Sequence, residues 1–405
     1  MKTKLGVATV IGLGMTSTAL SADLPQVAVE PIGYVATCDA FGAGYFQIPG
    51  KDTCLKLGGR VRVQAVSGNM ANNNGLKDYH GDKLSEYSMY SRSHLYLTSM
   101  TATEFGTIKT FFEGLYEWSG DEGEAEFLAG DAYVQLGLGN ASLLVGNTES
   151  LFDGFIGYAA LGTVSRNWSE YYMTQAQLIY GFDNGLSVGV SAENGYARGG
   201  PANSIDFVGM AKIDQGWGSF RVSGGLHNKD SGGYGFGVNA TTAFNIPTTG
   251  TELTFQATYA DSAVTYLGGA GSFVGLGEHT SNNLIKVNKI TDTYLSNQGF
   301  NGWSLAAGIQ QPITETITFA IDGTYAQLSG ALDDTAFIIP LGAVNTDIDR
   351  LAIDASLSWE PVEGLILAAG AGWNTTNYSW SGEKVVDDST SLEDIRIGTR
   401  VQYTF

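Results

Sequence analysis

The chain has 405 residues, with 21 Lys plus Arg against 41 Asp plus Glu, a formal net charge of −20 and only 15% charged residues. That balance excludes nucleic acid as a partner, because such partners are met by a basic surface; past the first residues no stretch supplies the roughly 20 apolar residues of a membrane-spanning helix. With 55 Gly, 20 Tyr and 19 Phe beside 8 Pro, the composition suits a large sheet with one face in lipid rather than a soluble enzyme, whose charged fraction is about 25%.

In chain order, Lys2 and Lys4 precede an apolar run over 5–15 and then small and hydroxyl residues up to Ala22. This is the layout of a secretory signal peptide, and the run is too short for an anchor. Residues 1–22 are therefore expected to be removed, with the cut after Ser21 or Ala22. Residues 23–53 follow as an N-terminal periplasmic segment. The two cysteines of the chain, Cys38 and Cys54, are expected to form one disulfide, since an exported chain with an even, minimal count favours pairing. The four histidines (His80, His94, His227, His279) are scattered without ligand spacing, so no metal site is expected.

From 54 to 405 the dominant signal is period two. A strand through a barrel wall sends successive side chains to lipid and to lumen. In the first such segment Leu55, Leu57, Val61, Val63 and Ala65 alternate with Lys56, Arg60, Arg62 and Gln64. The last does the same, with Ile395, Ile397, Val401, Tyr403 and Phe405 against Arg396, Arg400 and Gln402. Sixteen segments are expected, near 54–66, 85–100, 106–118, 128–138, 141–147, 171–182, 185–194, 204–214, 218–228, 234–246, 251–261, 301–310, 315–327, 347–359, 364–376 and 391–405. Short Gly, Asn, Asp and Pro turns alternate with long joins at 67–84, 148–170, 262–300, 328–346 and 377–390, as in barrels with tight periplasmic turns and long outer loops. The fold expected is all-β: one transmembrane antiparallel barrel over 54–405, of sixteen strands, with its third loop folded into the lumen.

The 148–170 loop is aromatic (Phe152, Phe155, Tyr158, Trp168) and sparsely charged, which suits a segment packed on the inner wall rather than left in water. Arg60, Arg62, Arg92, Arg396 and Arg400 fall on lumen positions, and barrel closure brings the last strand beside the first. The expected constriction sets these arginines against Glu149 and Asp153 of the loop, giving a transverse field that orients dipolar solutes. The GxSxG pattern over 185–189 lies within a period-two strand rather than at a strand-to-helix elbow, so Ser187 is not expected to be a nucleophile, and no catalytic set stands out.

Residues 38–59, CDAFGAGYFQIPGKDTCLKLGG, resemble the general porins of alphaproteobacteria. The likeness extends more loosely through strand count, loop rhythm, the Gly157, Tyr158, Ala159 run and the terminal Val401-Gln402-Tyr403-Thr404-Phe405. The resemblance implies a homotrimeric, cofactor-free channel for small hydrophilic solutes, in a Gram-negative outer membrane of lipid and lipopolysaccharide. It also implies that Tyr403 and Phe405 form the end read by the outer-membrane assembly machinery. Outward Ala369, Ala371, Gly209 and Ala211 would let neighbouring barrels approach closely. The family's third loop usually carries more charge than this one. The alternatives are a channel specific for a sugar or anion, or a barrel scaffold carrying an adhesin or an enzyme.

Overall fold

The computed structural model describes residues 36–71, 87–119, 125–268, 279–281, 285–287, 291–332, 343–382 and 385–405. The signal peptide, residues 23–35, Glu122 and Glu124 and much of the 67–84 and 328–346 joins lie outside the described residues. The wall strands are β1 (Thr53–Ser67), β2 (Tyr87–Thr103), β3 (Gly106–Ser119), β4 (Ala125–Leu138), β5 (Ala141–Glu149), β6 (Tyr172–Gly181), β7 (Leu186–Asn194) and β8 (Ile205–Gln215). They continue as β9 (Gly218–Asn228), β10 (Tyr234–Ile246), β11 (Thr251–Asp261), β12 (Asn301–Pro312), β13 (Ile317–Leu332), β14 (Val344–Val362), β15 (Leu365–Gly382) and β16 (Val385–Thr404). Each pairs antiparallel with its neighbours in sequence, and β16 closes on β1, with Arg400 opposite Gln64 and Tyr403 opposite Val61. Closure leaves no unpaired edge in lipid, where an unbonded peptide group would cost several kcal/mol (order of magnitude).

The alternation read from the sequence is the alternation of the wall. Leu57, Val61 and Val63 on β1, Phe112, Tyr116 and Trp118 on β3, and Phe255, Leu305, Leu357 and Trp359 further round are exposed outward. Their sequence neighbours Gln64, Gln256, Ser304 and Ser356 are buried inward. The expected disulfide is present, with Cys38 and Cys54 Cα atoms 6.1 Å apart. It holds a two-residue strand, Ala36–Thr37, and its partner Phe46–Gln47 against the start of β1. At the other chain end Phe405 and Gly59 exchange backbone hydrogen bonds of 3.0 Å, and the Phe405 ring lies where a Cβ on residue 59 would stand. Tyr403 and Phe405 are both exposed on the outer face.

β13 to β16 run further toward the long-loop end than expected, and the reason is an inversion of polarity. On the upper parts of β13, β14 and β15 the inward residues are apolar and buried: Leu328, Leu332, Val344, Ile348, Tyr378 and Trp380. The outward ones are polar, with Ser329 donating to Asp347 at 2.6 Å and Asn377 and Ser379 exposed. Here the wall has a dry interior and a wet exterior.

Candidate pore constriction

That dry interior is supplied by residues 262–268 and 291–300, which follow β11 and precede β12. Val264, Tyr266, Leu267, Leu295 and Phe300 are fully buried and pack with Leu328, Leu332, Ile348 and Tyr378 in one cluster. A short helix, Asp292–Asn297, carries Leu295, and its N-cap Thr291 accepts from the Tyr294 amide. The wall is recessed to seat these groups. A Cβ on Gly225 or Gly237 would come within 2.6 or 2.7 Å of Tyr266, and one on Gly330 within 2.4 Å of Phe300. This inward fold of residues 262–268 and 291–300 is not marked by any motif in the sequence.

Residues 150–171, the third outer loop, also fold into the barrel. Extended loop backbone has amides to satisfy, and lumen-facing side chains accept them. Gln256 accepts from Phe155 N at 2.7 Å, and Asp322 from Tyr158 N at 2.8 Å and Ala159 N at 2.7 Å. Ser356 accepts from Ala160 N at 2.8 Å and Asp354 from Val164 N at 3.1 Å. Arg166 adds an ion pair to Asp322 at 2.9 Å. Small wall residues again make room: a Cβ on Gly308 would meet the Phe155 ring at 2.4 Å, and Leu161 lies against Gly370 and Gly398. The two inward segments also grip each other. Phe152 packs on Tyr266 with ring centroids 4.3 Å apart, and Arg198, from the turn after β7, donates to Thr265 O at 3.2 Å.

With these segments filling one side, the charged lumen lies along β16 and β1 to β5. Two adjacent rungs of the sheet place its cations: Gln402, Arg62, Arg92 and Glu117 on one, Arg400, Gln64 and Tyr90 on the next. Arg400 Nε donates to Gln64 Oε1 at 2.7 Å, its Nη2 to Leu161 O of the loop at 3.3 Å, and Arg62 Nε to Gln402 Oε1 at 2.9 Å. Arg60 Nη2 lies 2.9 Å from His94 Nε2, and His94 in turn bonds Glu113. Arg92 pairs with Glu117. Arg396 is neutralised by Asp394 on its own strand at 2.9 Å and lies beyond the last rung shared with β1.

Of the expected site residues, the fold thus groups Arg60, Arg62, Arg92 and Arg400 and leaves Arg396 apart. The acids correct the expectation. Asp153 does not face the arginines across water: it is 2% exposed. It pairs with fully buried Arg198 at 3.3 Å and accepts from Ser169 Oγ and from Tyr171 N at 2.7 Å. A carboxylate in an aromatic loop finds a cation and two donors there, and burial follows. Glu149, at the end of β5, sits among Asp153, Glu170 and Asp131, and the cation acting on it most is Arg221 of β9 rather than the cluster. The Glu170 side chain is open to the lumen at the end of the loop, but the surrounding barrel interior hydrates it less well than bulk water, and with Asp153 nearby this raises its carboxyl above the usual range. Glu113 and Glu117 escaped the sequence reading, although their even spacing with Lys109 on β3 marks a lumen face. Ser187 is the second residue of β7 with its hydroxyl 3.5 Å from Lys212 O, and the strand runs on through it to Asn194, so no strand-to-helix elbow forms at the serine.

Comparison with known proteins adds family and fold. A family model described as "Porin subfamily" matches residues 23–398. Porin Omp2b of Brucella suis biovar 1 (strain 1330) is 32% identical over 219 residues, 48% of this chain and 57% of that protein. A putative outer membrane protein, y4fJ, of Sinorhizobium fredii (strain NBRC 101917 / NGR234) is 36% identical over 130 residues, 31% of this chain and 38% of that one. The chain thus spans less than two thirds of the length of these curated relatives. Among solved structures, the outer membrane channel DcaP of Acinetobacter baumannii superposes with a TM-score of 0.60 at 16% identity, covering 87% of this chain and 97% of that one. Salmonella typhi OmpF in complex with daunomycin gives 0.56 at 12%, over 87% and 98%, and OmpT of Vibrio cholerae in its trimer form 0.53 at 8%, over 88% and 100%. At such identities the likeness is one of fold.

Proposed function

The chain belongs to the porin subfamily, and on that premise we propose that it forms a water-filled outer-membrane channel for passive diffusion of small hydrophilic solutes and ions. The observation that carries this reading is the division of the lumen. One side is packed by two inward segments, while the other keeps Arg60, Arg62, Arg92, Arg400, Glu113 and Glu117 at the wall. Charges of both signs on a wet inner wall with a lipid-facing exterior suit a conduit rather than a reaction centre. In this reading the arginine rungs form the cationic side of the constriction and Glu149 and Glu170 contribute to the anionic side. Asp153 serves as the anchor of the loop.

Residues 1–22 are read as a cleaved leader, which a family match beginning at residue 23 supports, and residues 23–53 as the periplasmic segment before the barrel. A homotrimer is proposed on the porin fold and the outward small residues Gly209, Ala211, Ala369 and Ala371. Tyr403 and Phe405, exposed at the chain end, are the surface offered to the assembly machinery, and lipid with lipopolysaccharide surrounds the wall. The test is solute-driven swelling of liposomes holding the purified protein, with uncharged sugars of increasing size. Swelling that slows with solute mass is expected; rates equal to those of protein-free liposomes would contradict a channel.

A further inference from the structure

Arg60, Arg62 and Arg400 share one stretch of lumen wall, and no described carboxylate lies within ion-pair distance of any of them. Other arginines inside the barrel are different: Arg92 has Glu117, Arg396 has Asp394, Arg166 has Asp322 and Arg198 has Asp153. Arg60, Arg62 and Arg400 instead rest on neutral acceptors, namely Gln64, Gln402, His94 and the Leu161 carbonyl. Their charges act on one another, since Arg62 feels Arg60 and Arg92, and Arg400 feels Arg62 and Arg60. The Tyr90 hydroxyl sits beside both the Arg62 and Arg400 side chains, and the Arg92 guanidinium stacks over the Tyr90 ring at 4.8 Å. The enclosed Nε of Arg60 makes no hydrogen bond among the described residues. Forked donors are thus held in fixed orientation by Gln64, Gln402 and Tyr90, with their positive charge left uncompensated.

We propose that Arg60, Arg62 and Arg400, with Tyr90 between two of them, form a binding site for a small divalent oxyanion of the phosphate class. The proposal rests on the channel reading and adds a station within it. Guanidinium forks match the tetrahedral oxygens of phosphate and add geometry to charge, and a dianion offsets two of the three positive charges where a monoanion offsets one. A solute that must pass has to bind weakly enough to leave, so the site acts as a saturable stop rather than a trap. Arg400 contacts the loop through Leu161, which puts the stop at the narrow side of the lumen.

The experiment records single-channel current of the purified full-length protein in KCl at pH 8, then adds potassium phosphate or, at matched ionic strength, potassium nitrate. Phosphate is expected to lower the current along a saturating curve, with nitrate leaving it unchanged. Arg62→Gln with Arg400→Gln is expected to raise the half-blocking phosphate concentration about tenfold, the effect of losing one or two charge-assisted hydrogen bonds. Arg62→Lys with Arg400→Lys, which keeps the charge and loses the fork, should fall between, and Lys212→Gln, whose partner is Asp214, should behave as the parent. Calorimetric titration of the detergent-solubilised protein with phosphate reads binding without conduction. Equal action of phosphate and nitrate, equal block of parent and double variant, or no heat of binding would each overturn the site. Absence of current in KCl alone, before phosphate is added, would instead overturn the channel reading and leave the titration to decide the site.

Discussion

Asp153 and Arg198 are withdrawn from water together, 45 residues apart in the chain, with the guanidinium stacked 4.4 Å from the Tyr171 ring and 4.2 Å from that of Tyr266. Removing one partner of such a pair strands the other, at a cost of about 3–5 kcal/mol. Asp153→Asn is therefore expected to lower the melting temperature and to give larger, noisier current steps as the loop loses its hold. Glu170→Gln removes an exposed charge, so it should melt like the parent and shift reversal potential toward anions. The two variants separate an anchor from a lumen charge: if Asp153→Asn moved selectivity cleanly with unchanged stability, the burial assigned to it would be wrong. Glu170 also gives a pH signature. A carboxyl raised by poorer hydration inside the barrel and by Asp153 takes up its proton above the usual carboxylate range. As pH falls, the parent should turn toward anions as Glu149 and Glu170 take up protons, and Glu170→Gln should show a smaller turn, keeping only the part that Glu149 contributes. At this scale the sequence shows that the loop is aromatic and holds few acids. It does not show which acid is buried, because that depends on where the turn after β7 delivers Arg198.

The two inward segments are held by shape as much as by charge. Gly308 has room for no side chain, since Phe155 occupies the space. Gly308→Val is expected to push the third loop from its seat, costing roughly 1–3 kcal/mol as overpacking does and changing conductance in the same variant. Phe300→Ala empties a fully buried position of the second segment and should cost about 3–5 kcal/mol. A Phe300→Ala protein with parental thermal stability would show that residues 291–300 are not packed as described. The strands themselves were legible because lipid enforces period two along every one of them; the starts and ends of β9, β10 and β11 fall where alternation places them. The upper ends of β13 and β14 were not, since there the period persists while the phase of polarity inverts. A run such as Leu328 to Leu332 means a lumen wall only once something apolar is known to cover it. That cover comes from a loop whose inward path is set by packing against β9 to β15 and by glycines that in the sequence resemble turn residues.

At the scale of the molecule, closure of β16 on β1 fixes the electrostatics, because it sets Arg400 beside Arg62 from opposite ends of the chain. In the proposed transverse field Glu149 keeps the place expected of it, while buried Asp153 gives way to Glu170 and Asp131. Arg60, Arg62 and Arg400 stand on one side, and Glu149, Glu170 and Asp131 are grouped near the loop's return. Selectivity set by such a field should weaken with salt, since the Debye length falls from about 10 Å at 0.1 M to about 3 Å at 1 M. Arg62→Gln should accordingly move the reversal potential toward cations at 0.1 M and far less at 1 M. The central claim is that the third loop lies inside a conducting barrel and narrows it. Its most direct test is single-channel conductance in planar bilayers of the parent and of a variant lacking residues 154–162. The account predicts discrete steps for the parent and larger steps for the deletion, with weaker ion selectivity. Steps of equal size in a deletion variant that folds, or no steps in the parent, would contradict it.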